Sequence, residues 1–402
     1  MTAPKFEIPT EFASQLRYVE TKDPRTDDAI LKELNTSVPI TSEKNVWTYW
    51  HSGISNMPNW CKRNIINWVR LHDDTWTIRV LDTVPGSPNH ALKWIDAKEL
   101  PEAFVEGTMT GPWTGPHSAD FLRGAALYRY GGVWTDVGTI LFRDFDRVCW
   151  NQLADEECPY NVAVPWMFQQ YMANHFVAAR KGDEFIKRWH DLFMYFWRGR
   201  TDYKGITDSP LIAFVHNIRF AAAQERGMSW NWKVDELTAL GYVGQVMAWT
   251  RLSWLKEPNG FDGVAYSQNN VLWFDVLKED WAAEPIVGWE GKGLFNVLTT
   301  RLDADPESEE YKKAYACTWR LLTDSTMEKI THAKNLTIDL ACGALLDLPE
   351  NEGKDAAPGT FGELLRYGSV HFEQTRERIA QVELEEVKSE FVLHEPLFGW
   401  PN

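Results

Sequence analysis

Four polar residues within a stretch of twenty could do chemistry: His117, Asp120, Arg123 and Asp136. Asp120 and Arg123 fall one helical turn apart, so one helix face would present a carboxylate and a guanidinium together. Asp136 ends the run Val133-Trp134-Thr135-Asp136, which reads as a buried strand, where a carboxylate is costly unless paired or employed. Between the two segments, Gly131-Gly132 supplies the left-handed residue that stops a helix. The spacing therefore delivers two carboxylates and one guanidinium to a common place. An arginine there suits phosphate or carboxylate, and an aspartate suits a sugar hydroxyl or a cation. A second reading stands beside this one, in which Asp120 caps its own helix and pairs with Arg123 at i,i+3. His117 is a candidate general base at the lip of the helix, and Ser118 reads as its N-cap. No Ser/His/Asp spacing, Walker A or GxGxxG pattern is present.

The elements that must hold these groups follow from periodicity. Strands are expected at 46–50, 76–81, 133–142, 161–166, 174–179, 263–266 and 271–275. Helices are expected near 59–71, 89–96, 118–130, 183–198, 210–224, 307–322, 326–334 and 372–388. Such alternation predicts a largely parallel sheet with helices on both faces. Three regions are expected: an N-terminal arm (1–44), a catalytic domain (45–260) and a mixed α+β C-terminal region (261–402) packed on it.

Composition narrows the function classes. The 402-residue chain has 44% hydrophobic and 24% charged residues, which is ordinary for a globular protein. Its net charge of −16 disfavours generic polyanion binding, DNA included. Five cysteines without CxxC spacing argue against a zinc site or a disulfide framework and fit a reducing compartment. No apolar leader or run of about 18 apolar residues is seen, so neither a signal peptide nor a membrane span is expected, and a cytoplasmic location is. Twenty-one tryptophans run from Trp47 to Trp400, most of them expected in the core and some lining a pocket. Trp47, Trp50 and Trp134 are candidates for that pocket. Arg198, Arg200 and Lys204, interleaved with aromatics, could grip an unpaired nucleic-acid end; the same cations could simply complement a helix C-terminus. Asp144 and Asp146, flanked by Arg143 and Arg147, read as a salt-bridged loop.

The segment Ser118-Ala119-Asp120-Phe121-Leu122-Arg123 through Gly131-Gly132-Val133-Trp134-Thr135-Asp136 resembles the signature of capsular-polysaccharide-synthesis-type glycosyltransferases. Val46-Trp47-Thr48-Tyr49-Trp50, Trp76 to Asp82 and Asn174 to Ala179 extend the resemblance over roughly 45–220. It implies a GT-A-like, Rossmann-related α/β fold with Asp136, Asp120 and His117 catalytic and Arg123, Ser118, Trp134, Trp47 and Trp50 at the substrate. In nucleotide-sugar enzymes of the related fold, an Asp-x-Asp pair holds a divalent ion on the diphosphate. Here the text is Asp136-Val137-Gly138, so the second carboxylate is missing. The chain is also similar to fungal arginine-containing cyclodipeptide synthases. That resemblance implies arginyl-tRNA as partner, a cyclo-arginyl dipeptide as product, and no metal or other cofactor; the aromatic-basic run with Arg198, Arg200 and Lys204 would then meet the tRNA end. This reading is favoured here. The alternative is transfer from a nucleotide sugar, with magnesium or manganese at Asp136. A non-catalytic sugar- or protein-binding module is the third class.

Overall fold

β-branched and aromatic runs form the strands of this computed structural model, which describes residues 4–72, 74–258, 260–332 and 335–399. Trp400 and part of the helix expected over 326–334 lie outside the described residues. In chain order the strands that build the central sheet and the site are β1 (Asn45–Tyr49), β2 (Thr77–Leu81), β3 (Gly132–Thr135), β4 (Thr139–Leu141), β5 (Val162–Met167), β6 (Tyr171–Met172), β7 (Phe176–Ala179), β8 (Val271–Asp275) and β9 (Met327–Lys329). Seven of them form one mixed sheet in the order β8-β5-β7-β3-β1-β2, with β6 paired on β5. β7 runs antiparallel to both β3 and β5, whereas β1–β2, β1–β3 and β5–β8 are parallel.

Alternation along the strands separates two cores. Val46, Val133, Ala163, Ala178 and Leu272 face one core. Their neighbours Trp47, Trp134, Val162, Val177 and Trp273 face the other. Helix α1 (Asn59–Leu71) covers the first face, joined there by α5 (Glu309–Asp324) and α6 (Phe361–His371). The second is covered by α2 (Thr114–Tyr130), α3 (Glu184–Phe196) and α4 (Gly244–Ser253). The chain is thus a three-layer α/β/α molecule.

Several expected elements differ. The strand expected over 133–142 breaks at Asp136–Gly138, and its second half, β4, leaves the sheet to pair antiparallel with β9. The segment expected to be a helix over 326–334 is that strand β9. Residues expected as a strand at 263–266 open the helix Gly263–Asn269, capped by Asp262. The region expected as a helix over 372–388 begins as the strand Phe372–Gln374, which pairs with Leu16–Tyr18 of the N-terminal arm. The central sheet also crosses the expected boundary at 260, because β8 is its edge strand.

Candidate active site

α2 runs toward Gly131 and Gly132, which take positive φ of 70° and 104°. A Cβ at Gly132 would lie 2.2 Å from the Asn45 carbonyl oxygen, so only glycine lets β3 start beside β1. The chain then doubles back, and β3 carries Asp136 up against the first half of α2. Arg123, 2% exposed, bridges the two carboxylates. Its Nη1 donates to Asp120 Oδ1 at 2.5 Å and to Gln245 Oε1 of α4, and its Nη2 donates to Asp136 Oδ1 at 3.2 Å. The Trp134 indole N–H donates to the same Asp136 oxygen at 3.1 Å. Asn174 Nδ2 donates to Asp120 Oδ1 and to Gln245 Oε1, each at 3.0 Å. All of these residues gather at the carboxyl end of the parallel strands, where open α/β sheets bind ligands.

The other oxygen of Asp136 meets the C-terminal region. Lys329 Nζ donates to Asp136 Oδ2 at 2.8 Å. β9 holds that lysine rigidly: Lys329 pairs with Thr139, and Ile330 N donates to the Gly138 carbonyl at 3.0 Å. Asp280, fully buried, accepts the Lys329 backbone N–H at 3.2 Å and hydrogen-bonds the His175 ring. The His175 carbonyl in turn accepts Asp136 N at 3.0 Å. Burial works to raise the Asp136 pKa, but Lys329, Arg123 and His175 overcome it and hold the carboxyl well below its ordinary value. Burial dominates at Asp120 and pushes it up to about 6, against the pull of Arg123.

A divalent ion does not fit this donor set. Both Asp136 oxygens already face cations, and a further double charge beside them would be repelled. At position 138 a Cβ would stand 2.2 Å from Thr331 Oγ1, so no second carboxylate can be built there. Among the described residues no group of three or more His, Cys, Asp or Glu side chains is placed to hold a metal ion.

The other residues singled out from the sequence divide clearly. Ser118 is not the N-cap: α2 begins at Thr114, and Ser118 Oγ donates back to the Thr114 carbonyl at 2.7 Å. His117 is enclosed by Trp197, Tyr203 and Tyr242, with its Nε2 on the Tyr242 carbonyl. Burial lowers its pKa to about 4, and its ring packs instead of joining the Asp136 network. Trp47 is fully buried and donates to the Gly131 carbonyl at 3.0 Å, a core contact at the far end of the strand. Trp134 is buried too and serves the site through its N–H. Trp50 alone of the three stands half-buried at the carboxyl end of β1, its indole N–H without a hydrogen-bond partner among the described residues. Arg123 is a buried clamp with no surface to offer a substrate. Arg200 spends its guanidinium on the carbonyls of Phe196, Lys204 and Gly205. Arg198 lies over the Tyr195 ring, and Lys204 sits 3.9 Å from Asp202. Asp146 pairs with Lys44 at 2.9 Å, away from the site. Sequence reasoning missed Lys329, Gln245 and Asp280; it quoted Asn174 without giving it a role.

The model of the family described as capsular polysaccharide synthesis protein matches residues 24–206. The probable glycosyltransferase FCK3 of Fusarium pseudograminearum is 51% identical over 387 residues, covering 96% of this chain and 97% of that protein. The O-glycosyltransferase braB of Annulohypoxylon truncatum is 37% identical over 89% of this chain and 86% of its own length. The glycosyltransferase afumC of Aspergillus fumigatus is 37% identical over 88% and 92%. Among solved structures, the PaToxG glycosyltransferase aligns over 55% of this chain and 92% of its own, at 14% identity and a TM-score of 0.30, too loosely to bear on the fold. These relatives overturn the expectation of a tRNA-dependent cyclodipeptide synthase and, with it, arginyl-tRNA as partner and Arg198, Arg200 and Lys204 as its binding residues. What near full-length likeness establishes is a family: the chain belongs to that of these fungal glycosyltransferases, with the capsular-polysaccharide-synthesis-type segment over residues 24–206.

Proposed function

We propose that this chain is a glycosyltransferase that moves a sugar from a nucleotide diphosphate donor to a hydroxyl acceptor at the Asp120–Arg123–Asp136 site, on a GT-A-like fold. The observation that carries this is Asp136, a 27% exposed side chain at a strand end, held by a buried arginine and a lysine. The near full-length glycosyltransferase relatives support the same reaction class, and the name of one supports oxygen as the acceptor atom. The sheet order and the strand-end placement support the GT-A-like reading.

The roles divide by exposure and charge. Asp136 orients the donor and anchors the cation beside it. Asp120 takes the acceptor proton, since a carboxyl with a pKa of about 6 is matched to proton transfer near neutrality. Arg123, Gln245 and Asn174 position the two carboxylates. Five free cysteines, four of them buried, support a reducing, cytoplasmic setting. No helix among the described residues is long and apolar enough to cross a membrane.

The test is direct. Purified protein is offered a panel of nucleotide sugars, and release of nucleoside diphosphate is followed. Donor-specific release that disappears in Asp136→Asn supports the reading. Absence of release with every donor, with and without acceptors, would refute it.

A further inference from the structure

The reaction proposed above leaves a diphosphate carrying new negative charge, and something positive must meet it. The residues do not fit a divalent ion, so the cation must come from the chain. Arg123, the arginine of the site, is not free for this: it is 2% exposed and committed to Asp120, Gln245 and Asp136. Lys329 differs. Its side chain is 14% exposed, and it reaches Asp136 with one hydrogen bond. An ammonium has three donors, so two remain, and neither has a partner among the described residues. It is also fixed in place. β9 is hydrogen-bonded to β4, its backbone is held by Asp280, and Thr331 beyond it occupies the space over Gly138.

We infer that Lys329 is a catalytic residue of this enzyme, its ammonium supplying to the leaving diphosphate the positive charge that a metal ion would otherwise bring. The inference rests on the glycosyltransferase reading. In the step, the bond between the sugar C1 and the diphosphate oxygen breaks, and its electron pair stays on that oxygen. A bond forms between C1 and the acceptor oxygen, and the acceptor proton passes to Asp120. Lys329 loses no proton; it donates hydrogen bonds to the diphosphate with the two donors Asp136 leaves open. Asp136 keeps the ammonium aimed, as a carboxylate in a metal site keeps its ion. Gly138 and Thr331 fit the same plan: the position of a second metal-binding carboxylate is filled by the segment that carries the lysine.

The experiment measures nucleoside diphosphate binding and sugar transfer by the full chain, each with a chelator and with manganese. Uridine, guanosine, cytidine and adenosine diphosphates are the probes. The wild type should bind one of them with equal affinity under both conditions. Lys329→Met should weaken that binding by roughly 30-fold, the size of a lost charge-assisted contact. It should lower kcat by about 10²–10³-fold, as loss of one charge-stabilising donor does, with manganese giving no rescue. Lys329→Arg should keep binding within about tenfold of the wild type, because a guanidinium also serves phosphate. Thermal unfolding checks that both variants fold. Binding or transfer that needs manganese in the wild type would overturn the inference while leaving the glycosyltransferase reading intact. So would a folded Lys329→Met that binds and turns over like the wild type. If the wild type binds no diphosphate and turns over no donor under either condition, the glycosyltransferase reading itself falls, and the inference with it.

Discussion

At the scale of single residues, charge is balanced within one small network. Asp120 and Asp136 share Arg123, and Lys329 completes the second carboxylate. The two aspartates are pushed in opposite directions, Asp120 up by burial and Asp136 down by its cations. Separated values of this kind mark separate duties. Asp136→Asn should cut kcat by about 10²–10³-fold, because it releases the aim of Lys329. A cooperative thermal transition should persist, since Arg123 keeps Asp120 and Gln245. Calorimetry beside steady-state rates checks both halves. Asp120 makes a second prediction. Its folded pKa of about 6 lies above the ordinary value of 3.8, so the folded chain keeps a proton that the unfolded chain gives up. Its contribution to stability is therefore full below the unfolded value and is lost as pH rises through about 6. Asp120→Asn should gain on the wild type between pH 4 and 7 in denaturant midpoints, while turnover in the wild type should rise with pH through about 6.

Among the elements, a strand pair decides the site. β4 and β9 pack so closely that Gly138 has no room for a side chain. Gly138→Ala should cost about 1–3 kcal/mol by overpacking, and it should lower transfer further by moving β9 and its lysine. Adding Thr331→Ala removes the nearest atom and should recover part of both losses; urea titration and rates of the single and double variants measure this. The sequence made most of the site visible, and the reason is local. Asp120, Arg123 and Asp136 sit on one helix–turn–strand unit, where spacing alone sets who meets whom. Lys329 was hidden because it meets Asp136 across 193 residues. Its strand is three residues long, too short for a period-2 pattern, and follows directly on a helix ending at Asp324. A tract running on from a helix without a Gly or Pro reads as more helix. The strand β7 was legible but its antiparallel direction was not, for a related reason: its four buried residues, Phe176–Ala179, have no polar alternation to show direction or partner. His117 misled in the opposite way. A histidine beside a motif invites a catalytic role, and only the ring neighbours Trp197, Tyr203 and Tyr242 reveal a packed one.

At the scale of the whole molecule, the C-terminal region is woven through the fold. β8 completes the sheet, β9 completes the site, and Phe372–Gln374 ties down the N-terminal arm. A chain cut after residue 260 should therefore fail to fold independently. It would bare the β5 edge and the apolar surfaces that Leu272, Phe274 and Leu322 cover. Such a fragment should bind a hydrophobic dye and lack a cooperative transition, whereas a stable, cooperatively melting fragment would show two separable units.

The long reach from Asp136 to Lys329 also has a consequence in time. At synthesis rates of roughly 5–20 residues per second, about 10–40 s separate the emergence of the aspartate from that of its lysine. For that interval the nascent chain holds a carboxylate without its partner, and for about 5–22 s of it the strand β5 lacks its neighbour β8. Half-made molecules of this protein are thus exposed to edge-to-edge association on the ribosome, and slower translation upstream of residue 271 would lengthen the hazard.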